Sequence, residues 1–218
     1  MSDVLTPDIC VIGAGSGGLT VAAAAAAFGV SVVLIEGGKM GGDCLNYGCV
    51  PSKAMIAAAK TAHSMRHAEK FGIKAVEPEV NFRRVHDHVH DVIGAIAPND
   101  SVERFTALGV RVIEAHGTFT DARTVEAGGH TIKARRFVVA TGSRAFVPPM
   151  KGVHAGEGFK TGVFAYRTID DCRAIVDYAR RSRTAVVIGG GLLGLEAAYG
   201  VASQGAPATV VHLLDRLM

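Results

Sequence analysis

Tryptophan is absent from this 218-residue chain and tyrosine occurs only four times. Aliphatic side chains and nine phenylalanines must therefore build the core. No lysine or arginine run forms a nucleic-acid face. The densest cluster, Arg180-Arg181-Ser182-Arg183, reads as a solvated helix end whose charges suit the helix dipole. Long apolar runs are also lacking. The longest, Leu19–Ile35, is broken by Gly29 and Ser31, so a helix, a turn and a strand are expected rather than a membrane span. No charged leader precedes an apolar core, which predicts no signal peptide and a cytoplasmic chain. Four cysteines do not make a disulfide framework at this length. Neither nucleic acid nor membrane is expected as a partner.

Glycine and apolar residues are plentiful, at 27 residues and 49 % of the chain. Mean hydropathy is +0.28, enough for a sizeable core. High glycine suits α/β proteins whose backbone approaches ligands closely.

The stretch Gly41-Gly42-Asp43-Cys44-Leu45-Asn46-Tyr47-Gly48-Cys49-Val50-Pro51-Ser52-Lys53 carries the most chemistry. A regular helix would hold Cα atoms five residues apart at roughly 8–9 Å, from a rise of about 1.5 Å per residue. A disulfide needs about 4.4–6.8 Å. The two cysteines can meet only if residues 45–48 leave helical geometry, and Asn46 and Gly48 tolerate a turn. Pro51 suits the first helical position. Cys49 is then expected at a helix N-terminus, where the dipole favours thiolate. This describes a polarised dithiol/disulfide pair suited to exchange. A structural disulfide or two buried thiols is the plainer alternative. Cys10, within an apolar strand, and Cys172, within an amphipathic helix, read as packing residues.

Two glycine fingerprints flank this pair. A strand over 8–12 leads into Gly13-Ala14-Gly15-Ser16-Gly17-Gly18, a helix over 19–28 and a strand over 31–35 ending at Glu36. Gly13 permits the tight turn, Gly15 lets backbone approach a pyrophosphate, and Gly18 allows close helix–strand packing. Glu36 lies where an acid can accept a ribose hydroxyl. The second runs from a strand over 185–188 through Gly189-Gly190-Gly191-Leu192-Leu193-Gly194 to a helix over 195–203 and a strand over 209–213. It implies a second dinucleotide. His212 takes its ribose position, with Asp215 beyond, so NAD and NADP are not distinguished.

Between the fingerprints, helices are expected over 52–71, 82–96 and 101–108. His86, His88 and His90, like His63 and His67, have helical spacing. No further ligand set accompanies them, so a solvated face is expected and no metal site. Alternation over 110–115, 117–120, 124–127 and 131–133 predicts a small antiparallel meander. A strand over 136–140 ends in Thr141-Gly142-Ser143. Pro148-Pro149 marks a domain boundary, 153–160 reads as loop, and Thr168 caps a helix over 169–180.

Two nucleotide folds with a redox cysteine pair resemble the pyridine nucleotide–disulfide oxidoreductases, in their dihydrolipoamide dehydrogenase and mercuric reductase branches. The resemblance is most specific over Gly41–Lys53. It implies an α/β fold: an FAD-binding Rossmann-like three-layer domain with a β meander over 1–147, then an NAD(P)-binding Rossmann-like domain beginning at 148–218. Both are expected to be incomplete, since full-length members return to finish the FAD domain and add a dimerisation domain. The implied cofactors are FAD, held by Gly13, Gly15, Gly18, Glu36, Gly42, Thr141 and Gly142, and NAD(P), held by Gly189, Gly191 and Gly194. Cys49 would face the flavin and Cys44 would meet a dithiol, disulfide or soft-metal substrate. Lys53 would lie near the flavin, paired with Glu196. A homodimer is expected for the family.

The segments Gly162–Asp171 and Val210–Met218 are more similar to the flavoprotein part of NAD(P)H nitrite reductases, which lacks the cysteine pair. Two other readings therefore stand beside the disulfide oxidoreductase: an electron-transfer module with idle cysteines, and an inactive flavoprotein fragment.

Overall fold

A computed structural model describes residues 3–218. The chain divides into two compact units, Met1–Ser143 and Arg144–Met218.

The first unit opens with a short strand β1 (Asp3–Leu5), then β2 (Ile9–Ile12), helix α1 (Ser16–Ala27) and β3 (Val32–Glu36). Helix α2 (Gly42–Asn46) and the long α3 (Cys49–Arg66) follow, then α4 (Phe82–Ile96), α5 (Val102–Ala107) and β4 (Arg111–Glu114). Strands β5 (Thr118–Asp121), β6 (Thr124–Ala127), β7 (His130–Ile132) and β8 (Arg136–Val139) complete it.

One four-stranded sheet runs β4-β3-β2-β8, every pair parallel. Its strands alternate between two covered faces, as a buried parallel sheet requires. Val11 and Leu34 pack under Leu19, Ala22 and Ala25 of α1 and Phe105 of α5. Cys10, Ile12, Val33 and Ile35 point the other way, onto Val125, Ala127 and Ile132 of a second sheet. Helices, parallel sheet and meander thus form the three expected layers. Small alanines let α1 lie close to the strands, and Gly29, at φ +73°, ends it.

Two local expectations need correction, and one strand carries no sequence signal. The strand over 110–115 is no part of the meander: β4 pairs in parallel with β3 at the edge of the first sheet. Alternation alone cannot separate an edge strand of one sheet from the first strand of another. The meander is β5-β6-β7, and its far edge is β1, parallel to β7 with Asp3 opposite His130. Three residues are too few to show periodicity. Finally, α1 begins at Ser16, not Leu19, because Gly17 and Gly18 adopt helical geometry despite their poor propensity.

A polar knot closes the amino end of the sheet. Asp8 accepts from Ser31 Oγ at 2.7 Å and from Arg135 at 2.8 Å, joining the segments that enter β2, β3 and β8. The Ser31 hydrogen bond, followed by that from Arg135, lowers the Asp8 pKa.

The second unit holds a short hairpin of β9 (His154–Ala155) and β10 (Gly158–Phe159), where a loop was expected. Helix α6 (Ile169–Ala179), β11 (Ala185–Ile188), α7 (Leu192–Ser203) and β12 (Ala208–Val211) follow, with β11 and β12 parallel. Thr168 caps α6 in a full capping box with Asp171. Ala179, Val201 and Ala206 form a small core. The unit boundary falls a few residues before Pro148-Pro149.

A Cβ on Gly18 would lie 1.8 Å from the Gly13 carbonyl oxygen, a backbone atom with nowhere to go. Gly18→Ala should destabilise the first unit by about 3 kcal/mol, the upper end for overpacking, read as a lower urea midpoint. A lowered carboxylate pKa stabilises the fold above its unfolded value and ceases to do so as pH falls through the folded one. The stability difference between wild type and Asp8→Asn should therefore be constant above about pH 5 and close as pH falls below about 4.

Candidate functional site

The carboxyl ends of β2, β3 and β8 converge on the first glycine turn. Gly13 donates to the Ile35 carbonyl at 2.8 Å, and Ala140 donates to the Ile12 carbonyl at 2.8 Å. Gly13 takes φ +106°, and a Cβ there would stand 2.3 Å from the Ala140 oxygen, so Thr141 and Gly142 begin directly beside the turn. Strand order reverses around β2, which opens a crevice at this end of a parallel sheet.

Gly15 is the N-cap of α1. No side chain caps the helix and no acid occupies its first turn. Its leading N–H groups and positive dipole end suit an anion. Space above them is open, since a Cβ on Gly17 would meet nothing within 4 Å. Glu36, at the end of β3, accepts from Ala14 N at 2.5 Å and from Gly38 N at 2.6 Å. A carboxylate has about four acceptor positions, so two remain for hydroxyls. These groups fit the adenosine diphosphate part of a dinucleotide. The Ala14 and Gly38 amides carry no sequence signal; the βα turn after β2 and the loop after β3 bring them to Glu36.

The cysteine stretch is fastened to this turn by backbone. Gly41 donates to the Ala14 carbonyl at 2.9 Å. Gly42, at φ +53°, lies so close that its missing Cβ would be 2.7 Å from Gly15 Cα. Asn46 Nδ2 secures the approach by donating to the Met40 and Gly42 carbonyls at 3.0 and 2.9 Å. Helix α2 then stops. Tyr47 and Gly48 both donate to the Asp43 carbonyl, at 2.9 and 2.6 Å, and Gly48 departs to φ −116°, ψ −102°. This is the required break between the cysteines. Helix α3 starts at Cys49, two residues earlier than expected, so Pro51 is its third residue. Its absent N–H still costs nothing in the first turn.

Cys44 and Cys49 are free thiols in contact, Cys44 half-buried and Cys49 exposed at the helix start. A hydrogen bond to the Cys49 sulfur raises the Cys44 pKa; burial, repulsion from Cys49 and the more distant Asp100 carboxylate add to this. Asp100, in the 3₁₀ turn after α4, carries no sequence signal for such a role. Cys10 is wholly buried and its thiol is pushed up to about 11. Lys53 lies one turn beyond Cys49 on α3, exposed. A groove of about 530 Å³ lined by Lys60, Ser64, Met65, Ile73 and Val76 runs along the far end of α3, apart from the thiols.

The second fingerprint repeats the first. Gly189 has φ +118° and donates to the Val211 carbonyl at 2.9 Å, and Gly191 caps α7 with no side-chain help. A Cβ on Gly194 would lie 1.9 Å from the Gly189 oxygen. His212 Nδ1 accepts from Gly190 N at 3.0 Å, the place Glu36 takes in the first unit. Glu196 is exposed on α7.

The profile described as pyridine nucleotide-disulphide oxidoreductase matches residues 7–218. The chain belongs to this family. The family uses FAD and NAD(P), and the two uncapped glycine turns are suited to them. Similar proteins include a dihydrolipoyl dehydrogenase of Halobacterium salinarum, 36% identical over 97% of this chain and 43% of its own length. A mercuric reductase of Streptomyces lividans is 31% identical over 93% of this chain and 41% of its own. The solved Cu(II) complex of the HOCl-induced flavoprotein disulfide reductase RclA from Escherichia coli shares the fold at TM-score 0.63, with 21% identity over 96% of this chain and 43% of that one. The chain thus spans less than half the length of each of these three proteins. No helix among the described residues is long and apolar enough to cross a membrane.

Removing the Cys49 sulfur removes the leading cause of the raised Cys44 pKa. In Cys49→Ala, Cys44 should alkylate faster at pH 8 than in the reduced wild type, by peptide-resolved iodoacetamide kinetics. Cys10 should stay unmodified in both until denaturant is added.

Proposed function

We propose that this chain is the nucleotide-binding and dithiol portion of an FAD-dependent NAD(P)H:disulfide oxidoreductase. One observation carries the reading: Gly42 rests against Gly15, so the cysteine stretch begins where the pyrophosphate turn ends. Gly13, Gly15, Gly18, Glu36 and Gly42 are assigned to FAD, with Thr141 and Gly142 beside them. Gly189, Gly191 and Gly194 are assigned to NAD(P). Held by these residues, FAD would supply two-electron transfer between the nicotinamide and the Cys44–Cys49 disulfide.

The chain's own residues do the exchange. Cys44, after losing its proton, attacks one sulfur of a substrate disulfide; a mixed disulfide forms and one substrate thiolate leaves. Cys49 then attacks the Cys44 sulfur, which reforms Cys44–Cys49 and releases the second substrate thiolate. The break at Tyr47-Gly48 supports this cycle, because it lets the sulfurs meet without distorting either helix. A soft metal ion could occupy the same two thiolates instead. Lys53 and Glu196, both exposed, are assigned to the same reaction on the family resemblance. A homodimer and a small-molecule or protein dithiol/disulfide partner are proposed for the whole protein.

The purified chain, supplemented with FAD and reduced by two electrons, should develop a long-wavelength thiolate–flavin charge-transfer band. The band should vanish in Cys49→Ser with flavin still bound. Bound flavin without a band would overturn the disulfide cycle in favour of an electron-transfer module; failure to retain flavin would mark an inert fragment.

A further inference from the structure

Two histidine pairs with the same i, i+4 spacing have different geometry. His63 and His67 on α3 stack face to face, with centroids 4.0 Å apart and ring planes 26° apart. Lone pairs lie in the ring planes, so those of stacked rings run side by side rather than converge. His67 also commits Nδ1 to the His63 carbonyl oxygen at 2.9 Å. His86 and His90 on α4 meet edge on instead, with centroids 4.4 Å apart and planes at 65°. Their Nε2 atoms are 3.3 Å apart.

That separation has a chemical meaning. Two nitrogens bound to one zinc at about 2.0–2.1 Å with tetrahedral angles stand roughly 3.3–3.4 Å apart. With both rings in the Nδ1–H form, two lone pairs would face each other across the gap. They repel unless a proton or a cation lies between them. The setting leaves room for a cation. Val89 of the same helix is buried, while His90 is exposed and His86 half-buried beside it, so the pair lies at the rim of the buried face. One turn on, Gly94 is exposed and has no neighbour within 4 Å of a hypothetical Cβ, which leaves the approach open to solvent ligands.

We propose that His86 and His90 form a two-histidine chelate for a divalent transition-metal ion of the Cu(II) or Zn(II) class. Imidazole nitrogen suits these ions, and Cu(II) binds most tightly in the general series. The chain supplies two ligands and water completes the shell, since no cluster of three or more His, Cys, Asp or Glu able to hold a metal occurs among the described residues. The site lies on α4, outside the dithiol stretch, and does not depend on the flavin reading.

The test uses Cu(II) alone, added to the full chain carrying Cys44→Ser and Cys49→Ser so that the thiols neither bind nor reduce it. Calorimetry should give one saturable equivalent, and paramagnetic resonance should show coupling to two imidazole nitrogens. Loss of a neighbouring outer-shell group typically weakens metal binding 10–100-fold. Loss of a ligand itself should cost about 100-fold or more, so His86→Gln or His90→Gln should abolish the equivalent. His63→Gln with His67→Gln should leave it intact. His90→Gln, at the more exposed ring, keeps the test valid if His86→Gln misfolds by circular dichroism. No saturable equivalent, one that survives both α4 variants, or one lost only with the α3 pair would overturn the proposal. The last two outcomes would place the ion away from α4.

Discussion

Everything distinctive about the first unit hangs on the approach of two glycine-rich backbone segments. Gly41 donates to Ala14, and Gly42 presses against Gly15 at a separation any Cβ would forbid. This contact places two neighbouring thiols beside a helix end that no side chain caps. Met40 and Leu45 pack beside the contact and hold it in place. Gly42 also requires a positive φ, so both its conformation and its lack of bulk are in use.

Helix termini supply the electrostatics. Helices α1 and α7 both begin at glycine, with no capping side chain, which leaves their leading amides unspent for phosphate. Helix α3 begins at Cys49 instead, an exposed thiol at the same kind of helix end. The raised Cys44 pKa follows from its neighbours: its hydrogen bond with Cys49 comes first, then burial and nearby negative charge. The helices that face structure rather than ligand are capped conventionally, α4 by Asn81, α5 by Ser101 and α6 by Thr168.

The layers explain why the parallel sheet is so apolar. Cys10, Ile12, Val33 and Ile35 serve one interface while Val11 and Leu34 serve the other, so β2 and β3 have no solvent face. The second unit follows the same turn chemistry with a thinner core. Its two-stranded sheet leaves Val186, Ile188 and Val211 exposed.

Much of this was legible in the residues. Both glycine turns, Glu36 at the end of β3, the break between the cysteines and Cys49 at a helix start follow from local stereochemistry, in which glycine spacing and disulfide reach leave few solutions. Pairing was not legible. β4 and β1 join sheets through partners distant in sequence, and short alternating runs do not name their neighbours. Nor could spacing separate the two histidine pairs, because ring orientation is set by the packing around each helix. The chain by itself determined which backbone conformations were allowed at its glycines, and hence its two nucleotide-type turns. Only the tertiary structure decided that Gly42 meets Gly15, and that one histidine pair converges while the other stacks. Those are contacts across sequence distance or between side chains, and local stereochemistry does not encode them.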